Sequence, residues 1–209
     1  MDTVLITNTQ PEHFAALAEH QRTCFPTLDP SEWLTEEHFA AHLRLFPEGQ
    51  HVALDGDRVV GQSSTFRCRS DQVFAAHTFH DILAGGYFSN HDPQGEWLYG
   101  ADMSVHPDYR RQGIARSLYA ARKALIQRLG MKGMVAGGML PGYRHYRDQL
   151  DIEAYINAVV AGQLSDPTLT PQLRNGFVVR GVLRHYLHAG ALGNDAALIV
   201  WERDYGDAS

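Results

Sequence analysis

The chain has 209 residues, 44% of them hydrophobic, and a formal net charge of -6 with its 12 histidines neutral. That is a globular composition, and its negative balance opposes a polyanionic nucleic acid. With no run near the roughly 18 apolar residues of a membrane span, no basic segment leading into an apolar one at the start, and only Cys24 and Cys68 as thiols, the expectation is a cytoplasmic protein with reduced, mostly buried cysteines.

Residues 4–8 form a short β-type run, and Pro11 opens a segment in which Phe14, Leu17, Ala18 and Cys24 follow helical spacing. Ser31 precedes a second helical segment, with Trp33, Leu34, Phe39, Leu43 and Phe46 apolar, which Pro47 and Gly49 end. Residues 51–54 and 58–66 flank Asp55-Gly56-Asp57, which predicts a β-hairpin. The pattern weakens over residues 70–95, which read as a surface excursion with a strand-like or helical piece at 79–83. Residues 96–106 resume as a strand, stopped by Pro107 because proline cannot donate to a sheet ladder. Ile114, Leu118, Ala121, Leu125 and Leu129 mark one face of a helix ending at Gly130. With residues 131–136 as the next parallel strand, 96–136 form a β-turn-α-β unit. Residues 151–162 and 171–176 read as helices, and 177–186 with 196–201 as a closing antiparallel pair.

The informative stretch is DMSVHPDYRRQGIARSLYAARKAL, which begins at Asp102. Gly113 removes a side chain from its turn, Ala115 keeps the next surface small, and the first helical turn presents N–H groups without intrahelical partners. Such a turn can cradle a phosphate or pyrophosphate. Arg110, Arg111 and Arg116 add positive charge beside it, and Ser117 offers a hydroxyl. By themselves these residues suit equally a plain strand-to-helix turn with solvated arginines.

Arg110, Gly113 and Ala115 fit the (Q/R)-x-x-G-x-(G/A) signature of the GNAT superfamily of N-acetyltransferases, preceded by S-V-x-P on the fourth strand. Asn175-Gly176-Phe177 resembles the Gly-Phe pair that begins that family's penultimate strand, and the likeness in element order runs from about Val4 to Tyr205. The runs VAGGMLPGYRHY and DPTLTPQLRNGFVVRGVL resemble the GNAT module that some bacteria fuse to a carbon–nitrogen hydrolase. No nitrilase-type region is present in these residues, so no hydrolase activity is expected to carry over.

The resemblance implies one α/β (α+β) domain over residues 1–209, with insertions at 70–95 and 142–170. Its mixed central sheet would have about seven strands flanked by helices, with a V-shaped splay between strands 4 and 5. It implies transfer of an acetyl group from acetyl-CoA to a primary amine of a small molecule or a protein. The amides of Arg111, Gln112, Gly113, Ile114, Ala115 and Arg116, behind Arg110, would hold the CoA pyrophosphate. The strand edge at Met103, Ser104 and Val105 would pair with the pantetheine arm and polarise the thioester.

Such a transfer needs a neutral amine and a protonated leaving thiolate. Some histone-type members carry a glutamate at the position aligned with Tyr99, and many carry an acidic-role tyrosine where this chain has Gln172, so neither role transfers directly. Asp102 and Glu96 are the candidate bases, set against the plainer reading of hydrogen-bonded or solvated carboxylates. Tyr143 and Tyr146 are the candidate thiolate acids. His77 with His80, and His185 with His188, are paired in sequence but lack nearby acidic or thiol partners, so no metal is expected. Tyr87, Phe88, Trp97 and Tyr99 suit core packing better than an acceptor pocket. Lys123, Arg128 and Lys132 read as a solvated helical face, or secondarily as a contact for the CoA 3′-phosphate.

The expected partners are acetyl-CoA and a small polar amine, with no nucleic acid and no membrane, and a homodimer is left open. The alternative is a CoA-binding sensor or partner module with little catalysis. A P-loop nucleotidase fits less well, because no G-K-(S/T) follows the glycine turn.

Overall fold

The computed structural model describes residues 4–187 and 194–204. Its strands are β1 (Leu5–Asn8), β2 (His51–Asp55), β3 (Arg58–Cys68), β4 (Trp97–Val105), β5 (Gly133–Met139), β6 (Val178–Leu183) and β7 (Ala196–Glu202). They form one sheet in the order β1-β2-β3-β4-β5-β7-β6, antiparallel throughout except for the β4–β5 pair. The helices are α1 (Phe14–Cys24), α2 (Glu36–Leu45), α3 (Ser70–Val73), α4 (Phe79–Ile82), α5 (Ile114–Arg128), α6 (Ile152–Val160) and α7 (Leu169–Arg174).

Local chemistry explains the joints. The β2–β3 turn places Gly56 at φ +57, where glycine avoids the Cβ penalty. Ser31 does not open α2 as expected. Its N–H and hydroxyl both bond the Asp29 carboxylate, forming a short 3-10 turn, and Thr35 is the N-cap of α2 instead. The segment 142–170 is pinned by buried Asp166, which accepts from the Gly142, Thr168 and Leu169 N–H groups and the Tyr155 hydroxyl at 2.8–2.9 Å.

One side of the sheet is covered by α5, α6 and α7, whose Leu125, Ile126, Tyr155, Ile156 and Leu169 pack with Leu98, Met134 and Ile199. On the other side, Leu17, Leu34 and Phe39 cover Val52 and Val59. Farther along that side Val73, Ile82, Leu83 and Phe88 are buried with Phe66, Tyr99, Val135 and Val200. Residues 70–95 are therefore part of the core and not a surface excursion, each of those four side chains contributing about 1.5–3 kcal/mol of burial. The 79–83 piece is helical.

The sheet opens at its parallel seam. β4 pairs with β5 only at Trp97↔Gly133, Leu98↔Met134 and Tyr99↔Val135, while β5 goes on pairing with β7 as far as Met139↔Ala196. Opposite β3, Ser64 pairs with Asp102 and Thr65 with Gly100, leaving Ala101 as a β-bulge. A bulge bends its strand and increases local twist, and this one lies where β4 leaves β5.

Candidate active site

The opening between the two strands exposes one edge of β4. The His106 N–H bonds the Val60 carbonyl on β3 at 2.9 Å, so by alternation the amides of Met103 and Val105 face the opening. From Ala101 to Val105 this edge is roughly 13 Å long at about 3.3 Å per residue.

Beyond β4, a 3-10 turn at Pro107–Tyr109 leads to Arg111 at φ +63 and Gly113 at φ +86. Among the described residues, the N–H groups from Arg111 to Arg116 have no intramolecular acceptor, and the first satisfied one is Ser117, which bonds the Gly113 carbonyl at 3.0 Å. A side chain on Gly113 would meet nothing closer than the Arg116 guanidinium at 3.9 Å, so the space over the turn is open. Arg110 folds back to donate from Nε to the Val105 carbonyl at 3.3 Å. Successive free amides at a helix start, with three arginines beside them, favour a bound anion.

Asp102 points to the α1 side of the sheet and is half-buried, its carboxylate accepting from the Gln21 and Gln62 amides. Burial pushes its pKa up to about 6, against the opposing pull of the Gln21 hydrogen bond and the Arg122 charge. Sequence reasoning missed Arg122, which is 2% exposed and comes from the α5 side. Its Nε donates to Ser63 Oγ at 2.6 Å, and its guanidinium donates to the Ser64 carbonyl at 3.3 Å and to the Asp102 carbonyl. Burial lowers its pKa only to about 10, so it remains cationic at neutral pH. Gly100 gives it room, since a Cβ there would lie 2.7 Å from its Nη1. The available signal was a charge on the apolar stripe of α5, four residues after Leu118 and three before Leu125.

The other expected residues are dispersed. Glu96 precedes β4, roughly 20 Å along the strand from Asp102. It accepts from Ser70 Oγ at 2.6 Å and from the Ser70 N–H at 3.2 Å, and those bonds with Lys132 nearby hold it down to about 2, too acidic for a base near neutral pH. Tyr143 donates its hydroxyl to the Leu150 carbonyl at 3.1 Å. Tyr143 and Tyr146 pack on Tyr155 at 5.3 and 5.5 Å, in the core opposite the Asp102 carboxylate. Gln172 lies against Gly138 of β5.

Lys123 is not part of a solvated face: its Nζ donates to the Asn175 carbonyl at 2.6 Å and lies over Trp201. Arg128 pairs with Glu48 at 3.1 Å. Phe88, Trp97 and Tyr99 are core residues, whereas Tyr87 is exposed. His77 is bonded to Tyr99 and His185 faces Asn194, while His188 lies outside the described residues. A groove of about 620 Å³ lined by Phe14, Ala18, Trp33 and Leu34 lies between α1 and α2. No helix among the described residues is long and apolar enough to cross a membrane.

The model of the acetyltransferase (GNAT) family matches residues 14–139, from the start of α1 to the end of β5. The chain is 36% identical over 184 residues to "Probable hydrolase YhcX" of Bacillus subtilis, a match covering 88% of this chain but 35% of that protein, so the chain spans about a third of that relative. It is 30% identical over 202 residues to "Uncharacterized N-acetyltransferase YkwB" of the same organism, covering 96% of this chain and 89% of that protein. Among solved structures, the loading GNATL domain of CurA from Lyngbya majuscula has a TM-score of 0.82 at 16% identity, covering 96% of this chain and 98% of that one. The GphF GNAT-like decarboxylase in complex with isobutyryl-CoA has a TM-score of 0.77 at 21% identity, covering 95% and 98%. Because the family match takes in the bulge, the free-amide turn and both strands of the splay, and a curated relative is matched over nearly its whole length, the chain belongs to the acetyltransferase (GNAT) family.

Proposed function

We propose that this protein is an acetyl-CoA-dependent N-acetyltransferase whose donor lies in the β4–β5 splay and whose acceptor is a small polar amine entering from the α1 side. The observation that carries the reading is the open β4 edge running into six free amides. Pantetheine contains two amides and can add to Met103 and Val105 as a strand would, with Ser104 between them. The pyrophosphate then rests on the amides of Arg111, Gln112, Gly113, Ile114, Ala115 and Arg116, with the Arg110, Arg111 and Arg116 side chains offsetting its charge. An amide at Met103 polarises the thioester oxygen as negative charge develops on it. Asp102 takes a proton from the incoming ammonium; with its pKa raised to about 6 it is ionised at neutral pH yet close to the working range of a base.

CoA release should be followed with acetyl-CoA against a panel of small amines and of peptides carrying lysines or free N-termini, with a nucleic-acid titration at physiological salt alongside. Acetylation of a small amine supports the reading. Tight acetyl-CoA binding without transfer to any amine replaces it with a CoA-binding sensor.

A second reading is decarboxylation of an acyl-CoA, favoured by the fold match to the GNAT-like decarboxylase. The acceptor side presents Asp102, within electrostatic reach of Tyr186, and an acid there attracts an ammonium and repels a carboxylate. That ranks the amine first. Carbon dioxide release from a β-carboxylated acyl-CoA without added amine would reverse the ranking.

A further inference from the structure

A cluster of polar side chains sits where the splay begins. Tyr99 is the last β4 residue paired with β5. Its hydroxyl lies 2.9 Å from the Tyr186 hydroxyl and 2.9 Å from His77 Nε2. Tyr186, which follows β6, lies so close over Gly137, two residues past the last β4–β5 pair, that any side chain there would overlap its ring. Both phenols are buried and His77 is half-buried, so three polar groups join the apex of the splay to solvent.

Donor and acceptor roles give this line a direction. His77 Nδ1 lies 2.8 Å from the Ala75 carbonyl, which can only accept, so Nδ1 carries the hydrogen. Burial lowers the imidazole pKa, the ring is neutral near pH 7, and Nε2 is a bare acceptor. Tyr99 must then donate to Nε2 and accept from Tyr186, whose oxygen keeps a lone pair for a donor in the splay. The charged and titratable groups around the line are Asp81 by His77, Cys68 by Tyr99, and Glu32 and Asp102 towards Tyr186. Burial pushes the Cys68 thiol up, so it stays neutral, whereas the carboxylates, when ionised, favour an extra proton on the line.

We propose that Tyr186, Tyr99 and His77 form an outward proton line that removes the proton shed by the amine as the amide bond forms. The inference rests on the N-acetyltransferase reading. An ammonium and a thioester yield an amide, a thiol and one proton. The ammonium gives its first proton to Asp102. The amine lone pair then forms the C–N bond while the C–S electrons leave on sulfur, and Asp102 returns its proton to that thiolate. The second nitrogen proton passes to the Tyr186 oxygen as the Tyr186 hydrogen moves to Tyr99 and the Tyr99 hydrogen to His77 Nε2, and the imidazolium releases a proton to water. The shift is concerted, since a stepwise one would leave a buried phenolate or a doubly protonated phenol.

Three measurements test this. Nitrogen NMR of His77 in the free protein at pH 7 should show a protonated Nδ1 and an accepting Nε2; hydrogen on Nε2 reverses the line and overturns the proposal. In single turnovers with excess enzyme, Tyr99→Phe should lower amine acetylation about 100-fold with acetyl-CoA affinity unchanged. A proton inventory in H2O–D2O mixtures should be curved for the wild type, reporting several protons in motion, and linear for the variant. His77→Gln, at the solvent end, should behave alike and guards against a Tyr99→Phe protein that fails to fold. Unchanged rates or a retained curve in the variants overturn the line alone. A wild type inactive on every amine overturns the N-acetyltransferase reading, and the role of the line with it.

Discussion

Replacing Asp102 with asparagine separates the structural cost of this carboxylate from its chemical use. Its pKa rises from 3.8 to about 6 in the folded protein. At about 1.4 kcal/mol per pKa unit, that rise corresponds to about 3 kcal/mol against folding when the group is ionised in both states. The protonated form is the one the fold prefers, so this contribution to stability is fully present below pH 3.8 and is lost as pH rises through about 6. The substituted asparagine would carry no charge at any pH, and its oxygen can accept from both Gln21 and Gln62. Its amide NH2, however, must find an acceptor where the carboxylate only accepted, which reduces the expected gain to about 1–2 kcal/mol above pH 7. For a chain of this size that is a rise in Tm of about 2–8 °C. The gain should close as pH falls towards 4, and turnover should fall at least about 100-fold throughout. Thermal and urea unfolding at pH 5 and pH 8, with CoA release at pH 8, measure all three. An Asp102→Asn protein equally stable or less stable at pH 8, with the same pH slope as the wild type, would refute the burial argument; full turnover would refute the assignment as base.

Gly113→Asp should weaken CoA binding at least about 10-fold in calorimetric titration, because it adds a carboxylate over the free amides. Gly113→Ala should mainly cost about 1 kcal/mol of stability, from a Cβ at φ +86. Arg122→Met should destabilise the protein by about 3–5 kcal/mol in urea unfolding, since it strips the donor from three acceptors beside the bulge and leaves Asp102 without its buried cation. In whatever folds, the acid limb of the pH–rate profile should move to higher pH, because Arg122 now holds the Asp102 pKa down. Tyr143→Phe should lose the bond to the Leu150 carbonyl, about 0.5–1.5 kcal/mol, and keep its turnover.

The β4-turn-α5-β5 unit was legible because its signals are local: Pro107 ends a strand, Gly113 makes a left-handed turn, and an apolar stripe runs from Ile114 to Leu125. The same local reading failed at residues 70–95. There Val73, Ile82, Leu83 and Phe88 sit on four-residue helices and turns, too short to display a period, although all four are core. Ser31 looked like a helix cap until Asp29, two residues earlier, is seen to capture it. The proton line was least visible. Tyr99 and Tyr186 are 87 residues apart and meet only because β6 and β7 fold back beside β5, while His77 arrives on the segment whose packing the sequence conceals.

The sheet also reconciles a negatively charged chain with a polyanionic donor. Arg110, Arg111 and Arg116 belong to a turn whose six amides have no acceptor among the described residues, and the Arg116 guanidinium lies beside Gly113, so a pyrophosphate there meets attraction at short range. The distributed negative charge acts over longer distances, where salt screens it beyond about 8 Å. On the acceptor side the balance is reversed, with Asp102 near Tyr186 and Asp81 near His77. An ammonium is drawn to that side, and the proton it loses finds anions along its exit. The Ala101 bulge joins the two sides: it turns β4 away from β5, opens the edge for the donor, and precedes the carboxylate that receives the amine. Deleting Ala101 would move Asp102 to the other face, away from Gln21 and Gln62, because a one-residue change of register inverts every side chain beyond it.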